Sequence, residues 1–413
     1  MTTYAESVRY LYSLGNEVLT AKLGLERITA LLQALGNPHR ACRWVHVAGT
    51  NGKGSTCAMI EAGLRAAGIR TGLYISPHLV EPTERIQIAG RQVTQEQFAT
   101  AFSKVHETAV RMLASGEIDM HPTYFETVTA MAFVLFAGAK LDTVVLEVGL
   151  GGRLDATNVV NPELCVITPI DYDHQIFLGD TIQQIAGEKA GILKPGVPAV
   201  FAEQRPEAEA VLREHAQAKY TLSRDWPITD LAMDARGSRF RLQGPTGALD
   251  IVCPLAGQHQ VENARVAAIA LAELGISPAG IASACWPARL ELVSERPEII
   301  IDGAHNPAGT RALAAYIRRF YSGRRVWIVY GALADKAVTE MTSILFPLAD
   351  RLILTAPANS RAQSPENIPT PGARITHSAA EAVALLAGAG PEEVVFIAGS
   401  LYLAGEARAL LVK

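Results

Sequence analysis

Basic excess, paired cysteines and membrane-length apolar runs are all missing from this 413-residue chain. Lys and Arg number 37 against 41 Asp and Glu, a net charge of −4. With a pI near 6.2, nothing electrostatic points to nucleic acid or to an anionic membrane surface. The five cysteines (Cys42, Cys57, Cys165, Cys253 and Cys285) are scattered, with no C-x-x-C pair. That usage fits reduced, mostly buried thiols in a cytoplasmic protein. Met131–Ala139 is apolar but too short to span a bilayer. The start, Met1–Glu6, lacks a basic stretch followed by an apolar one, so no secretory signal is expected. Internal repeats and low-complexity tracts are also lacking. No amphipathic assembly helix stands out, so a monomer is expected. What is present, 49% hydrophobic and 19% charged residues, describes a globular protein, and the length suggests two domains.

Strand and helix patterns alternate along most of the chain. Helices are predicted near Tyr4–Leu14, Leu25–Leu35, Tyr124–Ala137, Thr181–Ala190, Glu262–Leu274 and Thr310–Phe320. Strands are predicted at Arg70–Ser76, Thr143–Val148, Leu164–Thr168, Glu298–Ile301, Val326–Tyr330, Arg351–Leu354 and Val394–Ile397. Arg239–Leu242 and Ala248–Val252 read as a hairpin around Gly244-Pro245. The alternation predicts an α/β protein. Its N-terminal part, residues 1–286, reads as a doubly wound P-loop ATPase domain. A smaller, Rossmann-like α/β domain follows over 287–413.

The run His46-Val47-Ala48-Gly49-Thr50-Asn51-Gly52-Lys53-Gly54-Ser55-Thr56 follows a strand and opens a helix. Glycines let successive N–H groups turn toward a polyphosphate, and the helix N-terminus adds positive potential. Lys53 supplies a mobile cation, and Ser55 or Thr56 a hydroxyl for magnesium. Gly54 separates lysine from serine, so this is not a strict Walker A run. The competing reading is a plain glycine-rich turn. Glu147 lies inside the apolar strand Val144–Val148, where a carboxylate is costly unless it meets a cation or strong donor. Magnesium is the favoured partner and a structural salt bridge the alternative. Ser76, and Asp171-Tyr172-Asp173-His174, fall at strand carboxyl ends, where ligands bind in open α/β sheets. Each also reads as ordinary loop chemistry. Lys189, near a helix end, reads from composition as an exposed lysine favoured by the dipole. Asp302 and His305 follow the first strand of the second domain and are candidates for nucleotide contacts, with a structural histidine as the alternative.

These motifs together resemble the folylpolyglutamate synthase/dihydrofolate synthase branch of the Mur ligase superfamily. The stretches that carry the resemblance are HVAGTNGKGST (46–56), YISPHL (74–79), TERI (83–86), TYFE (123–126), LEVGLGGRLDATN (146–158), DYDHQIFLGDTI (171–182), GEKAGILK (187–194), PARLE (287–291) and IDGAHNP (301–307). The resemblance implies an ATP-dependent ligase that joins L-glutamate to dihydropteroate and to reduced folates through an acyl phosphate. It also implies two magnesium ions. By this likeness Gly49, Thr50, Asn51, Gly52, Lys53, Gly54, Ser55, Thr56, Asn263, Arg289 and Asp302 match nucleotide positions, with His305 beside them. Ser76, Glu147 and His174 match magnesium ligands, and Lys189 matches a lysine that carries a carbamate. Thr123, Tyr124, Phe125, Glu126, Leu154, Asp155 and Ala156 match the pteroate-binding region; Leu23 and Gly24 resemble its N-terminal lip. Thr83 stands where an Asn often precedes Glu-Arg. Two further readings are a folylpolyglutamate synthase without the dihydropteroate activity and another Mur-type amide ligase. Peptidoglycan Mur ligases generally carry a UDP-binding domain ahead of the phosphate loop, and the residues before Gly49 are too few for one. A regulatory NTPase that uses ATP to switch shape is a more distant alternative.

Overall fold

The computed structural model describes residues 2–15, 24–245 and 247–412. Its helices are α1 (Tyr4–Ser13), α2 (Glu26–Ala34), α3 (Lys53–Ala66), α4 (Gln95–Ser115), α5 (Tyr124–Gly138), α6 (Gln175–Leu178), α7 (Ile182–Ala190), α8 (Pro206–His215), α9 (Gln258–Glu273), α10 (Pro307–Phe320), α11 (Val338–Leu345), α12 (Ala379–Leu385) and α13 (Leu401–Leu411). The chain divides into two compact units. The first takes 1–229, 241–251 and 263–284; the second takes 230–240, 252–262 and 285–413.

The first unit is built on an eight-stranded sheet. Its strands are β1 (Arg43–Ala48), β2 (Thr71–Tyr74), β3 (Ile86–Ile88), β4 (Arg91–Gln92), β5 (Thr143–Glu147), β6 (Leu164–Ile167), β7 (Ala199–Phe201) and β8 (Tyr220–Leu222), in the spatial order β4-β3-β2-β5-β1-β6-β7-β8. The strands from β2 to β8 along this order are parallel, and β3 and β4 add an antiparallel edge. Parallel strands covered on both faces need apolar side chains throughout. Trp44–Ala48 and Thr143–Glu147 are accordingly buried at every position. On one face Leu11, Ile28, Phe102 and Phe133, from α1, α2, α4 and α5, pack toward β2 and β5, and Ile185 of α7 and Leu212 of α8 pack toward β6 and β7. The chain runs from β1 toward one edge and from β6 toward the other, so the strand order reverses beside β1. Such reversals open a ligand crevice at the strands' carboxyl ends.

A small antiparallel sheet follows, β9 (Ile228–Met233), β10 (Ser238–Gly244) and β11 (Gly247–Cys253), in the order β11-β10-β9. The second unit holds β12 (Glu291–Glu295), β13 (Glu298–Ile301), β14 (Val326–Tyr330), β15 (Arg351–Leu354), β16 (Arg374–Ile375) and β17 (Val394–Ala398). They run β12-β13-β17-β14-β15-β16, antiparallel only between β12 and β13. Leu313 and Ile317 of α10 and Met341 of α11 pack on Ile300, Ile328 and Phe396.

Most predicted elements appear with ends shifted by a residue or two. Other differences are larger. Helix α4, 21 residues long, is absent from the sequence reading, as are α6 and α8 and the strands β3, β4, β7, β8, β12 and β16. So is β9, the third strand beside the expected hairpin. Helix α9 begins at Gln258, four residues before the expected Glu262.

Candidate active site

The loop between β1 and α3 is held by backbone geometry that only glycine permits at two positions. Gly49 has φ +146°, and a Cβ there would overlap Thr168 Oγ1. Gly52 has φ +84°, and a Cβ would strike the Asn263 side chain. Asn263 of α9 therefore lies directly on the loop. The Thr50 and Asn51 N–H groups donate to Pro169 O at 3.0 and 3.2 Å. Thr50 Oγ1 exchanges 3.0 Å hydrogen bonds with Asp171. The loop is thus pinned to the end of β6. Helix α3 starts at Lys53 with no side-chain cap. Its first turn aims backbone donors and the helix dipole outward, which suits an anion. Lys53 Nζ rests on Thr50 O at 3.2 Å. Ser55 and Thr56 are buried, and Thr56 Oγ1 has no hydrogen-bond partner.

Ser76 follows β2 and Glu147 ends β5, and these two strands are sheet neighbours. The Ser76 N–H donates to Glu147 Oε2 at 3.2 Å. Ser76 Oγ is buried without a partner, an expensive state for a hydroxyl. A buried acid beside an orphaned oxygen fits a hard cation, since magnesium takes few protein ligands and completes its shell with water and phosphate. Glu147 and Lys53 both act on one buried thiol. The buried Cys57 thiol is pushed well up, first by burial and then by the Glu147 charge, with Lys53 opposing. His174 stands at the start of α6 with φ +51°. Its Nε2 is 3.9 Å from Asp173 Oδ2. Among the described residues, no three His, Cys, Asp or Glu side chains gather into a metal-ready cluster.

Lys189 is not the exposed lysine that composition suggested. It is 4% exposed, and its Nζ donates to Gly49 O at 2.8 Å. Burial, then repulsion from Lys53, pulls its pKa down to about 7, with Asp173 and Asp155 opposing. A buried amine that loses its proton near neutrality therefore stands at the phosphate loop.

The segment after β5 folds tightly against α7 and α5. Arg153 N donates to Glu188 O at 2.7 Å, and its guanidinium pairs with Glu188 at 2.8 Å. The Phe125 ring lies where a Gly149 Cβ would be. Asp155 caps a 3-10 turn, Ala156–Val159. Its carboxylate accepts from Leu150 N at 2.8 Å, Thr157 N at 3.0 Å and Thr157 Oγ1 at 2.5 Å. Burial raises its pKa despite those donors. Leu154 is partly exposed and Ala156 is buried beside it. At the head of α5, Thr123 and Glu126 form a capping box. Glu126 Oε2 also accepts from Arg27 Nε at 2.9 Å. Gly24 is in place with φ +153°, and Leu23 lies outside the described residues.

Sequence reasoning passed over the groups around Tyr124. Arg85 is 2% exposed and donates to His78 Nδ1 at 2.8 Å. Its guanidinium lies 5.2 Å from the Tyr124 ring centroid. Tyr12 stacks on Tyr124 with centroids 5.9 Å apart, and its hydroxyl is 3.2 Å from His78 Nε2. All four residues were visible as types, but only the fold brings them together.

In the second unit, Asp302 accepts from Leu290 N and Ala304 N, each at 2.9 Å. Arg289 lies over Gly303, where a Cβ would overlap its guanidinium. His305 Nδ1 is 2.8 Å from Gly303 O. Arg289, Asp302 and His305 therefore form one group, separate in the chain from Asn263 and the phosphate loop.

A buried acid and a titratable buried amine at a phosphate loop mark an enzyme that handles phosphoryl groups, rather than a passive binding module. Known proteins narrow that class. The Mur ligase middle domain matches residues 47–272, and the Mur ligase glutamate ligase domain matches 288–401. Folylpolyglutamate synthase from Lacticaseibacillus casei is 35% identical over 99% of each chain. Dihydrofolate synthase/folylpolyglutamate synthase from Bacillus subtilis is 38% identical over 84% of each. The solved Mycobacterium tuberculosis folylpolyglutamate synthase complexed with ADP and AMPPCP matches with a TM-score of 0.89 at 34% identity, over 99% of both chains. E. coli FolC in complex with DHPP and ADP matches at 0.88 and 32%, over 99% of this chain and 97% of that one. The chain belongs to the folylpolyglutamate synthase/dihydrofolate synthase family of Mur ligases, and it is an ATP-dependent ligase. Among the described residues, no helix is long and apolar enough to cross a membrane.

Proposed function

We propose that this enzyme joins L-glutamate to the carboxylate of dihydropteroate and of reduced, glutamylated folates. The observation that carries the reading is that Lys53 and Lys189 both donate to the Gly49–Thr50 carbonyls of one glycine-bound loop, with Glu147 beside Val47 on the neighbouring strand. A carboxylate resists attack by an amine because oxide is a poor leaving group. Transfer of the γ-phosphoryl group to a carboxylate oxygen, with ADP leaving, makes an acyl phosphate. The glutamate amine then attacks the acyl carbon. The tetrahedral intermediate expels phosphate and leaves an amide.

Each side chain has a task in that sequence. The Gly49–Thr56 backbone and Lys53 hold the phosphates and balance the charge that develops during transfer. Asn263 braces the loop from α9, and Arg289, Asp302 and His305 are assigned to nucleotide binding. Ser76 Oγ and Glu147 would hold magnesium, with His174 as a further ligand; when bound, the ions screen the phosphates. Lys189 would carry a carbamate. That modification needs the neutral amine, which burial makes accessible. Thr123–Glu126 and Leu154–Ala156 would line the acyl substrate's site, with Gly24 and Leu23 at its lip. We assign residues 1–286 to the ATP-binding domain and 287–413 to the C-terminal one, in a cytoplasmic monomer.

Phosphate release from ATP and glutamate, compared with dihydropteroate and with tetrahydrofolate as acyl substrate, tests the reading. Turnover with both is expected. Turnover with tetrahydrofolate alone reduces the function to polyglutamylation, the activity named for the L. casei relative. ATP turnover that ignores both carboxylate and amine overturns the ligase reading.

A further inference from the structure

Two buried polar residues, His46 and Thr157, have no part in the scheme above. His46 lies on β1, three residues before Gly49, and is wholly buried. Its Nε2 is 2.9 Å from Thr157 Oγ1, and Thr157 Oγ1 is 2.5 Å from Asp155 Oδ1. Its Nδ1 is buried without a partner. These facts fix the polarity of the chain. The Thr157 hydroxyl has a single hydrogen. Asp155 also receives two backbone N–H donors, from Leu150 and Thr157, and such donors favour the charged carboxylate. Thr157 therefore donates to Asp155, and Nε2 must be the N–H that donates to Thr157. The partnerless Nδ1 is then a bare lone pair. The opposite polarity would need a protonated Asp155 and would leave a buried N–H donor unmatched at Nδ1. Burial, assisted by Lys194, holds the imidazole's pKa down at about 3, so the ring stays neutral.

The chain joins two functional segments. Strand β1 leads into the phosphate loop. Asp155 ties Leu150 to Thr157 and so closes the turn that follows Glu147. We propose that His46 is a positioning residue for the acyl substrate: by donating through Thr157 it holds Asp155 as the clamp of the 149–158 loop, and so fixes the substrate wall relative to the strand that bears the phosphates. This inference rests on the reading of Leu154–Ala156 as substrate-binding. Nothing in it requires His46 to touch either ligand.

Three variants test it in the full-length enzyme. In His46→Leu the donor is lost at similar volume. In His46→Gln an amide N–H can reach the place of Nε2. Thr157→Val breaks the chain at its middle. A hydrogen bond in a charged network carries about a tenfold to hundredfold effect. The KM for dihydropteroate should rise by that range in His46→Leu and Thr157→Val. The KM for ATP should stay within about twofold, and His46→Gln should recover most of the loss. Parallel rises in both KM values, or a His46→Gln no better than His46→Leu, would make His46 a packing residue and overturn the proposal. Nitrogen-15 NMR of the unliganded wild type should show His46 protonated at Nε2 and bare at Nδ1. The reverse tautomer overturns the chain whatever the substrate. Wild-type turnover with dihydropteroate tests the functional reading separately, so the two failures are distinguishable. If dihydropteroate is not turned over, the same KM comparison is read with tetrahydrofolate.

Discussion

Replacing Lys53 by alanine should separate catalysis from folding. In the structure the Lys53 Nζ donates to Thr50 O at 3.2 Å, at a partly buried site. Its loss should cost the fold about 0.5–1.5 kcal/mol, and alanine at the first position of α3 is a good helix former. The cost to chemistry is larger. A positioned donor facing charge that develops in the transition state is worth about 2.7–4 kcal/mol, or about 10²–10³ in kcat. A second effect runs in the same direction. Lys53 is the second-largest cause, after burial, of the depressed Lys189 pKa. Without it the Lys189 amine holds its proton to higher pH and is a poorer carbamate acceptor. The assay pairs glutamate-dependent phosphate release with thermal unfolding. We expect kcat to fall by at least a hundredfold while Tm moves by no more than about 4 °C. A folded variant that turns over within threefold of wild type would refute the loop assignment.

Further outcomes follow from the same geometry. Glu147→Gln keeps the shape of the acid but removes the charge beside the orphaned Ser76 Oγ; activity should fall by orders of magnitude and the magnesium needed for half-maximal rate should rise, whereas an unchanged magnesium requirement makes Glu147 structural. Because the Lys189 pKa is lowered to about 7, its neutral fraction grows as pH rises through that value. Activation by bicarbonate should therefore be stronger at pH 8 than at pH 6, and Lys189→Ala should abolish it; the same bicarbonate response in that variant would exclude the carbamate. Asp155→Asn weakens the clamp on Leu150 and Thr157, and should raise the KM for dihydropteroate more than that for reduced folate. Equal changes would argue against a separate dihydropteroate wall.

How much of this was legible depended on whether a signal was local. Buried parallel strands such as Thr143–Glu147 and Val326–Tyr330 announce themselves as unbroken apolar runs. Helix α5 announces its start through Thr123 and Glu126. Helix α4 was equally readable and was missed: Phe98, Ala101, Phe102, Val105, Ala109 and Met112 are buried at helical spacing, after a Thr94–Gln97 capping box. Strand β9 gave no such chance, since most of Ile228–Met233 is exposed. In the site, Glu147 betrayed itself because an acid in an apolar strand demands a partner. Lys189 did not, because the carbonyl that receives its amine belongs to Gly49, which is 140 positions away. The link from His46 through Thr157 to Asp155 was unreadable for the same reason. Each residue is ordinary where it stands, and only the pairing of β1 beside β5 and β6 brings them into line.

The central claim is amide formation through an acyl phosphate, and isotope transfer tests it most directly. Dihydropteroate labelled with oxygen-18 in its carboxylate is turned over with ATP and glutamate, and the released phosphate is analysed by mass spectrometry. When the amine displaces phosphate from an acyl phosphate, one carboxylate oxygen leaves with the phosphorus. The account predicts one labelled oxygen in each phosphate released and one retained in the amide. Amide product accompanied by unlabelled phosphate would contradict it.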